Sequence, residues 1–312
     1  GSGGVFSTTS GTSWGPKISE LPNDATYGGN TDNEYTQKFG KQQGKYYVPQ
    51  RAAAGLDPWA TPQAYDNAKD FFDTGITWSN SLNVAQMLDK SSYSISLGNT
   101  HQDGIISSTG MDRYNVKVSA DTKLTNNWSS GFTANYITTS IDKAVTSGNG
   151  LLRTVYAAPP SYDLAGIPSH VDGNPYTQNS FRGSFDNAYW AMDNNKFTED
   201  TNRFFGNVYA SYQTDFGTTN HKLNAKYMVG VDAYTTHYVD SYGYGSNTGG
   251  GRGQIENYGW TNATYNSLLT INYDWRINED WGLNAVLGNE IIQSNRKKYY
   301  EYGTNYNFPG WN

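Results

Sequence analysis

The chain has 312 residues, of which 36% are hydrophobic, 15% aromatic and only 16% charged, with a formal net charge of −6. This composition excludes a disordered chain, which would be rich in charge and poor in aromatic residues, and it lacks the basic footprint of a nucleic-acid-binding protein. The absence of cysteine excludes disulfides and thiolate metal sites. No apolar run reaches the ~18 residues of a transmembrane helix. Abundant Tyr, Trp, Gly and Asn leave two classes open, a transmembrane β-barrel and a secreted carbohydrate-binding β-protein.

The first segment, residues 1–70, shows no sustained alternation and is rich in Gly, Asn, Pro and Tyr. We interpret it as a long extracellular loop region or the start of a barrel, with a short helical turn within 62–72. Its first residues, GSGGVFSTTSG, have neither the charged nor the apolar region of a signal peptide. We therefore expect a chain that is mature, trimmed or a piece of a longer protein.

Residues 71–312 carry the predicted strands, beginning with two hairpins in tandem over 71–137. From Ile76 onward, apolar residues alternate with small polar ones, and the pattern resumes after a tight turn at Asp89-Lys90. The second hairpin turns near 123–127. This period of two predicts strands that are apolar on one face and polar on the other.

Two long loops separate the further strands. Residues 139–202 lose the period, and strands are then predicted at 203–213 and 223–233. A loop rich in Gly and Tyr at 236–259 leads to a last hairpin over 264–291 with the turn INED. The final residues, YYEYGTNYNFPGWN, are interpreted as another outer loop, so that the strands would stop in mid-barrel.

About eight strands result, and their connections alternate strictly between short turns and long loops. Outer-membrane barrels have this pattern, with short periplasmic turns and strands of about ten residues. Asp89-Lys90 would then be periplasmic and 98–112 outside. Lys226, Asp232 and Glu290 would face a polar lumen, which favours a barrel wider than eight strands. The predicted interfacial aromatics are Trp78, Trp128, Trp275, Trp281, Tyr136, Tyr212 and Tyr273.

No motif predicts catalysis, a metal or a cofactor. The four histidines have no Asp or Glu at metal-ligand spacing. The acidic pairs Glu199-Asp200 and Glu279-Asp280 point apart on a strand or turn and would not flank a glycosidic bond. The string SNTGGGRGQ at 246–254 lacks the ending and the following helix of a phosphate-binding loop. We therefore expect a protein without enzyme activity.

Aromatic side chains on the long loops are the candidate substrate-binding residues. Flat apolar rings beside Asn, Asp and Arg suit sugars, whose C–H faces stack while their hydroxyls find polar partners. The alternative is that these rings pack the loops onto each other or onto a lid protein, which we favour for the Tyr189-Trp190 pair. The candidates are Tyr156, Tyr162, Tyr189, Trp190, Tyr242, Tyr244 and Trp260.

Six segments resemble, in their order, the barrel of SusC-type TonB-dependent transporters, which are outer-membrane nutrient importers. The segments are 12–17 (TSWGPK), 66–75 (DNAKDFFDTG), 102–106 (QDGII), 113–115 (RYN), 151–162 (LLRTVYAAPPSY) and 189–207 (YWAMDNNKFTEDTNRFFGN). The resemblance implies an all-β, antiparallel transmembrane barrel of 22 strands, filled by a plug domain and coupled to TonB through a TonB box. Because neither the plug nor the TonB box is recognisable here, this chain is expected to cover early barrel strands after the plug.

The resemblance also implies a function, the TonB-dependent import of an oligosaccharide, or alternatively a peptide, across the bacterial outer membrane. The implied partners are outer-membrane lipid, a SusD-like surface lipoprotein, and TonB through a part of the protein absent here. Two other interpretations stay open. One is a secreted or surface-attached glycan-binding β-protein without a membrane span, and the other is a small complete outer-membrane barrel.

Overall fold

The computed structural model describes residues 15–145, 150–181, 183 and 185–310, which form a large antiparallel sheet and a cap of short elements. The first cap segment contains a 3-10 helix (Ile18–Asn23), α1 (Glu34–Phe39), β1 (Tyr46–Tyr47), α2 (Pro49–Ala53), β2 (Trp59–Ala60) and α3 (Asn67–Phe71). The first four sheet strands are β3 (Thr77–Met87), β4 (Ser91–Asp103), β5 (Gly110–Lys123) and β6 (Trp128–Lys143). The second cap segment contains α4 (Leu151–Ala157), β7 (His170–Val171), β8 (Asn174–Gln178) and α5 (Ala188–Asn194). The last sheet strands are β9 (Lys196–Thr214), β10 (His221–Tyr242), β11 (Gln254–Arg276) and β12 (Gly282–Thr304).

The eight long strands follow one another across the sheet in the order β3-β4-β5-β6-β9-β10-β11-β12, each antiparallel to its neighbours. The predicted all-β antiparallel fold is thereby confirmed. Within the described residues β3 and β12 are the two edges of the sheet and do not pair with each other. The eight strands therefore do not close on themselves, which contradicts the interpretation as a small complete barrel.

The strands are longer than predicted in the second half of the chain. The short turns occur where expected, but β9 to β12 have 19 to 23 residues each. Parts of the predicted loops 139–202 and 236–259 are consequently strand, and 299–304 is the end of β12 instead of an outer loop. Alternation of apolar and polar residues ends before backbone pairing does, because both faces of the outer strand ends are polar.

One face of the sheet carries a band of exposed apolar side chains across all eight strands. The register places them on the same side, and they are 41% to 66% exposed. Lys226, Asp232 and Glu290 lie on the opposite face, as predicted. Members of the apolar band include Trp78, Leu82, Val84, Ile95, Leu97, Tyr114, Val116, Phe132, Phe204, Val208, Tyr227, Val229, Tyr265, Leu287 and Ile291.

The hydrophobic core lies in the cap instead of the sheet. Residues from 18–72 and 150–191 pack together there, joined by Ile106 from the loop between β4 and β5. The Asn33 side chain starts α1 with a reciprocal capping box, and the Asn187 side chain accepts hydrogen bonds from the first backbone N–H groups of α5. The core comprises Leu21, Tyr46, Val48, Phe71, Ile106, Leu151, Val155, Ala158, Tyr162, Leu164, Ile167, Phe181, Ala188, Trp190 and Ala191.

The cap revises the interpretation of residues 1–70 as an irregular loop. From residue 15 onward this segment is folded, and α3 confirms the short helical turn predicted within 62–72. Positions 1–14, including the first three residues of TSWGPK, lie outside the described residues. No helix in the described part of the chain is both long enough and apolar enough to cross a membrane.

Candidate functional site

The long-loop ends of β10, β11 and β12 carry a row of aromatic side chains on the polar face of the sheet. Tyr238 on β10 is paired with Tyr258 on β11, which is paired with Tyr300 on β12, and Trp260 lies two residues further along β11. Aromatic residues facing each other across strands stabilise a sheet by packing. We refer to Tyr238, Tyr258, Trp260 and Tyr300 as the aromatic row.

The rings of the aromatic row stand next to each other with their faces partly covered. The centroids of Tyr238 and Tyr258 are 4.9 Å apart, with 8° between the ring planes. Trp260 lies 5.4 Å from Tyr238, and Tyr300 lies 6.4 Å from Tyr258. Tyr300 lies on the edge strand β12 and is 62% exposed.

Two cations lie over rings of the aromatic row. Lys143 Nζ lies 4.7 Å from the Tyr238 ring centroid and 3.4 Å from Glu199 Oε2, while Arg296 Cζ lies 4.8 Å from the Trp260 ring centroid. Such contacts contribute about 0.5–1 kcal/mol at exposed sites. The Trp260 Nε1 atom is buried without a hydrogen-bond partner. A buried donor without a hydrogen bond lowers stability by roughly 1–3 kcal/mol, so this N–H group is suited to donate a hydrogen bond to an acceptor on a ligand.

A cavity of about 600 Å³ adjoins the aromatic row where the sheet meets the cap. Lys143, Phe197 and Tyr242 line it from the sheet, and Leu151 and Met192 line it from the cap. Since Lys143 contacts both the cavity and Tyr238, the two form one continuous surface. Its size is in the range of small-molecule sites, and its lining combines apolar side chains with charged ones.

Asp186 fastens the loop between β10 and β11 to the cap at this cavity. The carboxylate is 9% exposed and accepts hydrogen bonds from Gln178 Nε2 (2.8 Å), Ser246 Oγ (2.6 Å), and the backbone N and side-chain Nδ2 of Asn247 (both 2.8 Å). Gly245 in the same loop has a φ of +101°, and a Cβ there would meet the backbone of Tyr176 and lie 3.1 Å from the Trp190 ring. The loop is therefore held in one position by a carboxylate and a close backbone approach.

The predicted substrate-binding residues are divided between two places. Tyr242 lines the cavity, and Trp260 belongs to the aromatic row. Tyr162 and Trp190, at 2% and 0% exposure, are core residues of the cap and present no ring face to a ligand in this structure. Burial raises the pKa of the Tyr162 hydroxyl, and Trp190 Nε1 donates to Pro175 O at 2.9 Å.

The other three candidates do not approach the aromatic row through any described contact. Tyr189 packs edge-on against Phe71 at 5.3 Å and its hydroxyl donates to Asp70 O at 3.2 Å. Tyr156 is 58% exposed beside a shallow groove in the cap that Tyr65 also lines. Tyr244 is half-buried in the loop after β10. The packing role favoured for the Tyr189-Trp190 pair agrees with these contacts.

Sequence reasoning missed Lys143, Tyr238, Tyr258 and Tyr300. The signal was present, since Thr236, Tyr238, Asp240 and Tyr242 continue the period of two of β10. It was hidden because the residues between them include the polar His237 and Ser241, so the two faces differ little in polarity. The range 236–259 was therefore assigned to a loop.

The histidines form no metal site among the described residues. His101 contacts two carboxylates, since its Nδ1 lies 2.8 Å from Asp112 Oδ1 and its Nε2 lies 3.2 Å from Asp103 Oδ1.

No protein-family model and no curated protein matches the chain. Among solved structures, it is similar to a chain of the RagAB peptide importer in the "closed-closed" state, with a TM-score of 0.61 and 17% identity. The fold is that of part of this importer. The "open-open" state gives 0.62 and 15%, and a further structure of the RagAB peptide transporter gives 0.58 and 16%. Each match covers 78% of this chain and 27% of the solved chain, so the present chain spans about a quarter of the length of the RagAB chains it resembles.

Proposed function

We propose that the chain is part of the barrel of a SusC-type, TonB-dependent transporter of the bacterial outer membrane. In this proposal it imports an oligosaccharide together with a SusD-like surface lipoprotein, and a plug and TonB box belong to other parts of the protein. The observation that carries the proposal is the exposed apolar band on one face of all eight strands. The shared fold with RagAB importer chains supports it.

The apolar band suits lipid better than water. Soluble monomers rarely expose contiguous apolar patches larger than a few hundred Å², whereas outer-membrane strands alternate between lipid-facing and lumen-facing residues. The opposite, polar face carries ion pairs such as Arg203–Asp232, with 2.6 Å between Nη2 and Oδ2. Placing such charged groups in hydrocarbon would be energetically unfavourable. The unpaired edges β3 and β12 require neighbouring strands, since an open sheet edge cannot lie in lipid.

In this proposal the cargo binds at the aromatic row and the adjoining cavity. Both lie on the polar face at the long-loop end, which is the outer entrance of the barrel in this proposal. Tyr hydroxyls and carboxylates can form hydrogen bonds with sugar hydroxyls. Tyr258 and Asp240 are such a pair of groups, and here the Tyr258 hydroxyl donates to Asp240 Oδ2 at 3.1 Å. A peptide is the second candidate cargo, because the similar solved chains belong to a peptide importer.

Uptake in the native bacterium tests the proposal. Deletion of the full-length gene should abolish energy-dependent uptake of one oligosaccharide or peptide class, and complementation should restore it. Uptake that persists for every class in the deletion strain would refute the importer.

Orientation is tested by single cysteines, because the chain has no native cysteine. A membrane-impermeant maleimide should label Arg252→Cys in intact cells and should not label Asp89→Cys until the outer membrane is permeabilised. The reverse pattern would overturn the orientation. A chain recovered as a soluble monomer without detergent would favour the secreted glycan-binding protein.

A further inference from the structure

Within the described residues, two cations next to Trp260 have no anionic partner. Lys298 is directly opposite Trp260 in the pairing of β11 with β12, and Arg296 lies over the indole ring at 4.8 Å. Among the ion pairs of the described residues, none involves Arg296 or Lys298. Both side chains belong to the polar face, because Arg296 and Lys298 share the register of Asn262 and Trp260.

The acidic groups of the same face are engaged elsewhere or are too distant. Glu199 pairs with Lys143, and Asp232 binds Arg203 through two hydrogen bonds of 2.8 and 2.6 Å. Glu256 is opposite Tyr302, four residues beyond Lys298, or about 13 Å along the strand at ~3.3 Å per residue. Asp240 is on the strand beyond β11, at the level of Glu256, and accepts from Tyr258.

A hydrogen-bond donor without an acceptor completes the arrangement. Trp260 Nε1 is buried and unpaired among the described residues, while the Arg296 side chain over the ring and the Lys298 side chain opposite it are exposed. One unpaired N–H donor beside two exposed cations matches a carboxylate, which accepts several hydrogen bonds and carries the opposite charge.

We propose that Trp260, Arg296 and Lys298 form a subsite for the carboxylate of an acidic sugar residue in an imported oligosaccharide. This inference rests on the proposed import function and names its substrate class. A uronate fits because Tyr300, two residues beyond Lys298, offers an exposed ring for its sugar ring. Asp240 and Glu256 lie further along the strands and can accept hydrogen bonds from hydroxyls of a following sugar residue.

Binding to the purified full-length protein in nanodiscs tests the subsite, with trigalacturonate as the probe. Arg296→Gln and Lys298→Gln should each weaken binding at least tenfold, and added salt should weaken binding to the wild type more than to either variant. Trp260→Phe keeps a ring but removes the N–H group, and it should weaken binding severalfold. Lys297→Gln is the matched control, because Lys297 is the adjacent residue on the opposite face and should leave binding unchanged.

Three outcomes would overturn the subsite: no binding of trigalacturonate, equal weakening by Lys297→Gln, or tight binding of a glutamate-rich peptide with none of trigalacturonate. Uptake separates this inference from the importer itself. If cells import a neutral oligosaccharide or a peptide and the Arg296 and Lys298 variants import it normally, the transporter stands and the acidic-sugar subsite fails. If trigalacturonate binds as expected but the gene supports no uptake, the importer fails.

Discussion

Replacing Val208 with arginine tests whether the apolar band faces lipid. On β9 the band runs from Tyr212 to Phe204, and Val208, which is 53% exposed, is its midpoint. These eight steps span about 26 Å along the strand, or about 20 Å of depth at a tilt of ~40°, close to the ~25 Å apolar band of outer-membrane barrels. An arginine at the midplane should therefore destabilise the folded protein by about 2–4 kcal/mol.

Two matched substitutions control for side-chain size and for depth. Asn207→Arg changes the adjacent residue on the polar face and should cost less than about 1 kcal/mol, because it does not enter lipid. Val239→Arg lies on the lipid-side face of β10 but ten residues, or about 33 Å, beyond Val229, and should also cost about 0–1 kcal/mol. The measurement is reversible denaturant unfolding of the full-length protein in phospholipid vesicles. Equal costs for Val208→Arg and Asn207→Arg would refute the assignment of the two faces.

Three further predictions concern the cap and its loop. Trp190→Ala should destabilise the cap by about 3–5 kcal/mol and make it sensitive to protease, because Trp190 is fully buried. Tyr156→Ala is the control and should change the stability of the cap by no more than about 0.5 kcal/mol, because Tyr156 is exposed. Equal proteolysis of the two variants would contradict the assignment of Trp190 to the core. Asp186→Asn should lower the free energy of local opening of residues 243–253 by about 2 kcal/mol, because a charged acceptor of four hydrogen bonds is lost. Amide hydrogen exchange should therefore become faster in this loop and stay unchanged in α1. Burial raises the pKa of Tyr162 above its ordinary 10.0, so its contribution to cap stability is complete below pH 10.0 and is lost as the pH rises through the folded-state pKa. Tyr162→Phe should accordingly make proteolysis of the cap less steeply dependent on pH above that value, and an unchanged alkaline profile would argue against burial of this hydroxyl.

The first parts of the strands could be predicted because the residues on the two faces of the sheet differ sharply in polarity. Trp78, Leu82 and Val84 alternate with Ser and Asn, and the turn at Asp89-Lys90 is where the structure places it. Their extensions could not, because Thr235 and His237 on one face and Thr236 and Tyr238 on the other give no contrast. In this part of β10 the strand is maintained by backbone hydrogen bonds to β9 and β11, which the amino-acid composition does not indicate.

The cap could not be predicted for a different reason. Its helices have five to seven residues, too few to display a helical period, and its core joins segments that are more than a hundred residues apart. Tyr46 OH, for example, donates to Ser161 O at 2.6 Å. From sequence, Tyr162 and Trp190 have the same composition around them as exposed loop aromatics, so their burial was hidden. Trp260 and Tyr242 were identified by residue type alone.

The strand lengths make the two sides of the sheet unequal in height. β3 has 11 residues and β12 has 23, so β12 is longer than β3 by about 40 Å along the strand direction. The cap core includes Phe71 just before β3 and Ile106 just after β4, which places the cap above the short strands. Helices and loops thus continue the wall where strands stop. In the proposed importer, a large molecule arriving at this end would meet paired strands on one side and the helices and loops of the cap on the other.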